Sequence, residues 1–378
     1  MGGEPIDVPL DVETPGTSRT VRMVRYGDPD ARPKAYIQAG VHADETPGYL
    51  VARHLLAELD AAQEAGRIAG QVVVVPCANP LGLAQRVTGA SPARQDLASG
   101  QNFNRGWPDL AAAAAGAGDR LGDDARANLA ELRSAMRAAL DAQQPEREID
   151  ALHRVLAREA CDADLALDLH CDDAGLLHLF ILPELWPAAA DLAGELDCAA
   201  VLTAGVTGGS TFSETLSAAW TRLGAAHPDL PIPQGCVAAT VELRGFADVD
   251  DGLAKRDARA LVRALQRRGH LAGDPGPAPQ PRCEPTGLDA CDILRAPATG
   301  AVIYRAELGQ QVRGGDPIAE LVPLDAGPTA RQRAVVHART DGIVLTRRLH
   351  RQAARGDAIA KIAGRTPLAH RQGYLLED

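Results

Sequence analysis

The sequence predicts an α/β fold followed by a small all-β domain, and three observations carry that reading. From residue 20 to about 260, apolar runs of strand length alternate with helical patterns. A proline-rich stretch then breaks the alternation at 271–289, with Pro275, Pro277, Pro279, Pro281 and Pro285. Beyond it the apolar spacing becomes that of strands, and a segment repeats itself. We therefore expect a mixed, mostly parallel sheet flanked by helices over 1–270, a stiff linker over 271–289, and a β-sandwich over 290–378.

Taken in order, Thr20–Tyr26 alternates as an exposed strand does, and Ala35–Ala39 is apolar enough to be buried on both faces. Thr46–Glu64 reads as a helix, with Pro47 in its first turn and Leu50, Val51, Leu55 and Leu59 on one stripe. Gln71–Pro76 is a continuous valine run suited to a central strand, and further strands are expected at Ala163–Leu169, Leu177–Ile181 and Ala238–Leu243. Helices are expected at about 125–142, 149–159, 187–197, 212–220 and 250–267. The alanine- and glycine-rich segment Ala111–Arg120 reads as a mobile surface loop.

After the linker, Pro297–Ile303 recurs as Ala338–Val344, and Gly315–Leu321 recurs as Gly356–Ile362, both at an offset of 41 residues. Two short halves with Gly-Asp turns suggest one closed sandwich that resembles the biotinyl/lipoyl-type fold. Carriers of that type present a lysine, commonly beside a methionine, on a hairpin. Here 290–363 holds one lysine, Lys361, inside the last repeat strand, and no methionine. A domain packed over or beside the catalytic mouth is expected, rather than a swinging arm.

Composition narrows the partners. The net charge is −11, from 50 acidic and 39 basic residues, and the three lysines Lys34, Lys255 and Lys361 form no patch. That balance argues against nucleic acid. No apolar run reaches the roughly 18 residues of a membrane span, and the N-terminus lacks the pattern of a signal peptide. Seven cysteines without a Cys-x-x-Cys pair suit free thiols in a reducing cytoplasm. The oligomeric state is left open, with a homo-oligomer compatible.

The chemistry is concentrated at strand ends. His42-x-x-Glu45 follows the strand starting at Tyr36, and His170 ends the strand Leu165–Leu169. Two imidazoles and a carboxylate there can make a three-ligand zinc site with one open position. Asp168, two residues before His170, can take the proton of the ring nitrogen facing away from the metal or anchor a neighbouring loop. Glu242 lies within an apolar strand, where a carboxylate is either catalytic or paired, with Arg244 or Arg25 as candidate partners. Gly208–Phe212 precedes a helix, and either its amides meet a substrate or it caps that helix.

Together, His42-x-x-Glu45, Asn79-Pro-x-Gly82, Asn102-x-Asn104-Arg105, His170 and Glu242 resemble the zinc carboxypeptidase superfamily over about residues 20–265, and most closely its succinylglutamate desuccinylase/aspartoacylase branch. The resemblance implies one Zn²⁺ per chain on His42, Glu45 and His170, with Glu242 as the proton-transferring carboxylate. It implies Asn104 and Arg105 as binders of a substrate carboxylate, for which arginine offers a planar fork. It also implies an arginine at the scissile carbonyl between the Asn-Pro and Asn-Arg motifs. Arg86 is our first assignment, and Arg94 fits the same description. Two departures stand out. No tyrosine occurs from 50 to 303, where related carboxypeptidases have one over the substrate, and Asn102 stands where relatives have Asp. Freed of that charge, Arg105 is more open to an anionic substrate, or only a loop contact changes. The expected activity is hydrolysis of a small anionic N-acyl amino acid at its amide bond. A metallopeptidase acting on short peptides or cell-wall fragments is the enzymatic alternative, and a ligand-binding protein using the β domain the non-enzymatic one.

Overall fold

The structure is a computed structural model that describes residues 2–11, 15–89, 91–205, 209–324, 333–373 and 375–376. Strands β1 (Glu4–Pro9), β2 (Thr20–Tyr26) and β3 (Lys34–Ala39) lead to helix α1 (Thr46–Glu64) and strand β4 (Gln71–Val75). Four helices follow: α2 (Pro80–Ala84), α3 (Leu110–Ala114), α4 (Ala125–Ala142) and α5 (Glu148–Ala160). Then come β5 (Leu165–Asp172), β6 (Ala174–Gly175), β7 (His178–Ile181), α6 (Trp186–Glu195) and β8 (Ala200–Thr203). Helix α7 (Phe212–Ala226), β9 (Val237–Gly245), α8 (Asp251–Arg267) and β10 (Pro285–Gly287) complete this half.

Nine of these strands form one sheet in the order β1-β2-β4-β3-β5-β9-β7-β8-β10. The pairs β4/β3, β3/β5, β5/β9, β7/β8 and β8/β10 run parallel, and β1/β2, β2/β4 and β7/β9 antiparallel. The expected mixed, mostly parallel sheet is what the chain builds. Its valine run explains the two layers: Val72 and Val74 face a core with Leu55 and Leu59 of α1, Leu192 of α6 and Leu261 of α8. Val73 and Val75 face the other core, with Leu132 and Met136 of α4, Leu156 of α5 and Leu216 of α7. Successive side chains of a strand point to opposite faces, so a strand covered on both sides must be apolar throughout.

One expectation is corrected. Ala111–Arg120 is not a mobile loop: it forms most of α3 and the 3₁₀ turn Ala115–Arg120, with Ala114 and Ala117 fully buried. Alanine is the best helix former, Asp109 caps the helix by accepting from the Ala112 amide, and the small side chains pack closely beside Leu110.

The C-terminal half contains β11 (Cys291–Arg295), β12 (Gly300–Tyr304), β13 (Gln311–Val312) and β14 (Pro317–Pro323). It continues with β15 (Ala334–His337), β16 (Gly342–Arg347), β17 (Gln352–Ala353) and β18 (Ala358–Gly364). One sheet runs β11-β18-β16-β13 and the other β15-β14-β12-β17, as a sandwich should. The 41-residue repeat is visible in it, since the repeated segments supply β12 and β14 in one copy and β16 and β18 in the other. The halves share ladders: β6 of the first pairs with β16, and β10, from within the proline-rich stretch, pairs with β8. Among the described residues no helix is long and apolar enough to cross a membrane.

Candidate metal centre

The parallel strands deliver the site at their carboxyl ends. After β3 the chain turns at Gly40, whose φ of +77° suits glycine, and a side chain there would meet the ring of Tyr49. Tyr49 in turn donates to the Ala43 carbonyl at 3.0 Å. The Asn79-Pro-x-Gly82 motif acts on the same loop. Asn79 accepts from the Gly82 amide and donates to the Val41 carbonyl at 2.7 Å, so one side chain caps α2 and fixes the approach to His42.

His42, Glu45 and His170 are buried and offer donor atoms within 4.8 Å of one another. The Nδ1 atoms of His42 and His170 each lie 2.8 Å from a Glu45 oxygen, Oε1 and Oε2 respectively. Each ring turns its other nitrogen outward. His42 Nε2 meets Asn102 Oδ1 at 2.8 Å, and His170 Nε2 meets Asp168 at 2.7 Å. Asn102 Oδ1 also accepts the Asn104 amide, which sets the orientation of its side chain. Both Nε2 atoms therefore have an acceptor for an outward proton, which leaves the two Nδ1 atoms, once deprotonated, and a carboxylate to converge on one point as metal donors. Acceptors in that arrangement are what a cation satisfies, and the outer hydrogen bonds fix ring tautomer and tilt as in metal centres. The donor set fits zinc.

Charge follows the same geometry. Burial works against ionised Glu45, but the two imidazoles outweigh it and hold the carboxylate well below its ordinary range. Burial likewise opposes charge on His170, while Asp168 and Glu45 raise it well above an ordinary histidine. His42 is pushed down by burial. Asp168 also accepts from Gln38 at 3.0 Å, so it both orients His170 and ties neighbouring β3 to it. We expect Asp168→Asn to weaken zinc affinity by about 10–100-fold without unfolding the protein. Competition with a chelator measures this, and unchanged affinity would leave Asp168 a purely structural tie.

Glu242 is the direct neighbour of His170 across the β5/β9 ladder. Neither expected arginine pairs with it: Arg244 forms a two-pronged bond to Asp257, and Arg25 lies toward Glu4 and Glu159. Its Oε2 is buried without a hydrogen-bond partner among the described residues. Burial pushes its carboxyl well above the usual range, against the pull of His170. A basic carboxylate beside a metal site is suited to proton transfer.

The loop 94–107 closes the other side. Asn104 lines the cavity with its amide engaged, Oδ1 accepting from Trp107 and the Phe212 amide, and Nδ2 facing His170 at 3.3 Å. Arg105 also lines the cavity and donates to the Asn104 carbonyl. The structure brings Arg94 rather than Arg86 to the cluster. Arg94 Nη1 is 3.3 Å from His42 Nδ1 and 3.6 Å from Glu45, whereas Arg86 is exposed and bonded to Ser91 and the Gln85 carbonyl. Asn102 serves His42 instead of Arg105. In the segment before α7, Gly208 lies outside the described residues, and Thr211 caps the helix by accepting from the Glu214 amide.

The β domain packs beside the catalytic mouth as expected, but sequence reasoning named none of its residues as lining the site. The cavity of about 160 Å³ above Glu242 is walled by Leu288, Cys291, Ile293 and Lys361, and by Arg371, Leu375 and Leu376 of the C-terminal tail. Lys361 Nζ is 2.5 Å from Asp172, two residues beyond His170. The lone lysine of the repeat was the signal available.

Residues 31–267 match the family described as succinylglutamate desuccinylase/aspartoacylase catalytic domain. The chain belongs to this family. Together with the metal-competent triad, that makes it a zinc-dependent hydrolase of amide bonds. Solved structures share the fold over both halves. A succinylglutamate desuccinylase/aspartoacylase family protein from Shewanella amazonensis SB2B superposes with TM-score 0.80 at 23% identity, covering 95% of this chain and 98% of that one. A family member from Shewanella frigidimarina NCIMB 400 gives 0.80 at 22%, covering 96% and 98%. The product-bound ectoine utilization protein EutE (DoeB) from Ruegeria pomeroyi gives 0.67 at 17%, covering 97% and 96%. No curated protein matches the sequence.

Proposed function

We propose that this family member is a deacylase that hydrolyses the N-acyl amide of a small amino acid derivative, with one zinc ion per chain on His42, Glu45 and His170. The observation that carries the reading is the convergence of two outward-anchored imidazoles and Glu45 beside the unpartnered oxygen of Glu242. A zinc ion held there supplies Lewis acidity toward water and an amide carbonyl. Glu242 takes the proton of the attacking water at Oε2 and delivers it to the amide nitrogen as the C–N bond breaks. Arg105 orients the substrate carboxylate, and Asn104 holds that loop against His170. Arg94, next to His42 and Glu45, offers its guanidinium to the charge that develops on the carbonyl oxygen. The small cavity suits a small substrate better than a peptide groove.

Amine release from N-acetyl, N-formyl and N-succinyl amino acids, compared with dipeptides on the zinc-loaded protein, tests the reading. Turnover confined to dipeptides would replace it with the peptidase alternative. We further expect Arg94→Ala to lower kcat by about 10²–10³-fold. Arg86→Ala should change it by less than about threefold, as surface changes do. Steady-state kinetics of both variants decides, and the reverse ranking would return the role to Arg86.

A further inference from the structure

The cavity is asymmetric about Glu242. On the His42 side stand Arg94 and the polar loop of Asn104 and Arg105. On the other side the sheet continues as β9-β7-β8, each strand about 4.8 Å further from the ligands. There Thr240 of β9 pairs with Phe180, and Phe180 with Leu202, which sets two large apolar side chains beyond the catalytic carboxylate. Leu288 and Ile293 face them from the C-terminal half, and Leu375 and Leu376 from the tail. Phe180, Leu202, Leu288, Leu375 and Leu376 belong to one apolar cluster. Among the described residues two cations reach this side, and both are engaged. Lys361 is held by Asp172 at 2.5 Å, and the Arg371 guanidinium donates to the Leu375 carbonyl at 2.9 Å and to that of Leu288.

We propose that this wall receives an uncharged apolar acyl group, so that the preferred substrate is an N-acyl amino acid with a short hydrocarbon acyl chain rather than an acetyl or dicarboxylic one. The inference rests on the deacylase reading and specifies its acyl side. A dicarboxylic acyl group would bury its far carboxylate against leucine, with the Lys361 ammonium already neutralised by Asp172 and the Arg371 guanidinium already committed to two main-chain carbonyls, and such a charge is costly to desolvate. A hydrocarbon group exchanges water for apolar contact instead. Water adds to the acyl carbon, the C–N bond breaks, and the products are a short fatty acid carboxylate and a free amino acid.

The discriminating pair is N-succinyl and N-(4-methylpentanoyl) on one amino acid. The two acyl groups match in shape and differ by a carboxylate in place of an isopropyl group. With zinc-loaded full-length protein, kcat/KM for the 4-methylpentanoyl substrate should exceed that for the succinyl one by at least about 100-fold. It should exceed that for the N-acetyl one by at least about tenfold. Leu202→Ala should narrow the second ratio, and 4-methylpentanoate should bind more tightly than succinate by calorimetry. Hydrolysis of all three with succinyl or acetyl preferred would overturn this inference alone. A succinyl preference that Lys361→Met removes would overturn it by showing the lysine reading the acyl carboxylate. Amine release from dipeptides only would overturn the deacylase reading and this one with it.

Discussion

Glu242→Gln should lower kcat by about 10²–10⁴-fold while zinc content and fold stay unchanged. The amide keeps the size of the carboxylate, so the cavity keeps its walls, but it cannot accept and return a proton. Stability should hold or rise. Among the described residues Glu242 has no arginine partner, and one of its oxygens is buried without a hydrogen bond, so neutralising it removes a desolvation cost and breaks no ion pair there. Turnover, metal content and melting temperature measured on the same preparation separate the outcomes. A loss below about threefold would move the base elsewhere, and a lower melting temperature would make Glu242 a structural residue.

His170→Ala, and equally His42→Ala, should leave protein without tightly bound zinc and without activity. A three-donor site loses a third of its ligands. In the His170 variant, Asp168 and Glu45 are also left facing one another without the imidazole between them. Bound metal stabilises whatever state it binds, by about 2.7 kcal/mol at 100 times its dissociation constant. A chelator should therefore lower the melting temperature of the natural protein and leave that of the variants unmoved. Full zinc content in both variants after dialysis would sink the ligand assignment.

What could be read in the sequence follows from where each signal is local. His42 and Glu45 lie three apart just after a strand, and His170 ends another. Once the parallel strand pattern was recognised, their meeting at one end of the sheet followed from topology. The choice between Arg86 and Arg94 had no such signal. It depends on the loop folding back on Gln85, whose side chain bonds the Pro92 and Gln95 carbonyls and the Leu97 amide. That fold brings Ala93 against Ala43, and so Arg94 against His42. Ala111–Arg120 misled because low complexity hides a capped helix of the smallest core side chains. Lys361 and Asp172 stand 189 residues apart, and only the packing of the two halves brings them together.

The rims of the nine-stranded sheet bear on behaviour at high concentration. One rim is β1, with Pro5 and Pro9 among its six residues, Glu4 at its start and Asp7 between the prolines. The other is the three-residue β10, which begins at Pro285. Proline has no amide hydrogen to offer a further strand, and short or charged rims give an incoming chain little to add to. The largest sheet in the molecule therefore ends at both sides in backbone that cannot readily template its own extension. The chain can keep a wide, valine-rich platform for its chemistry without exposing it to edge-to-edge aggregation.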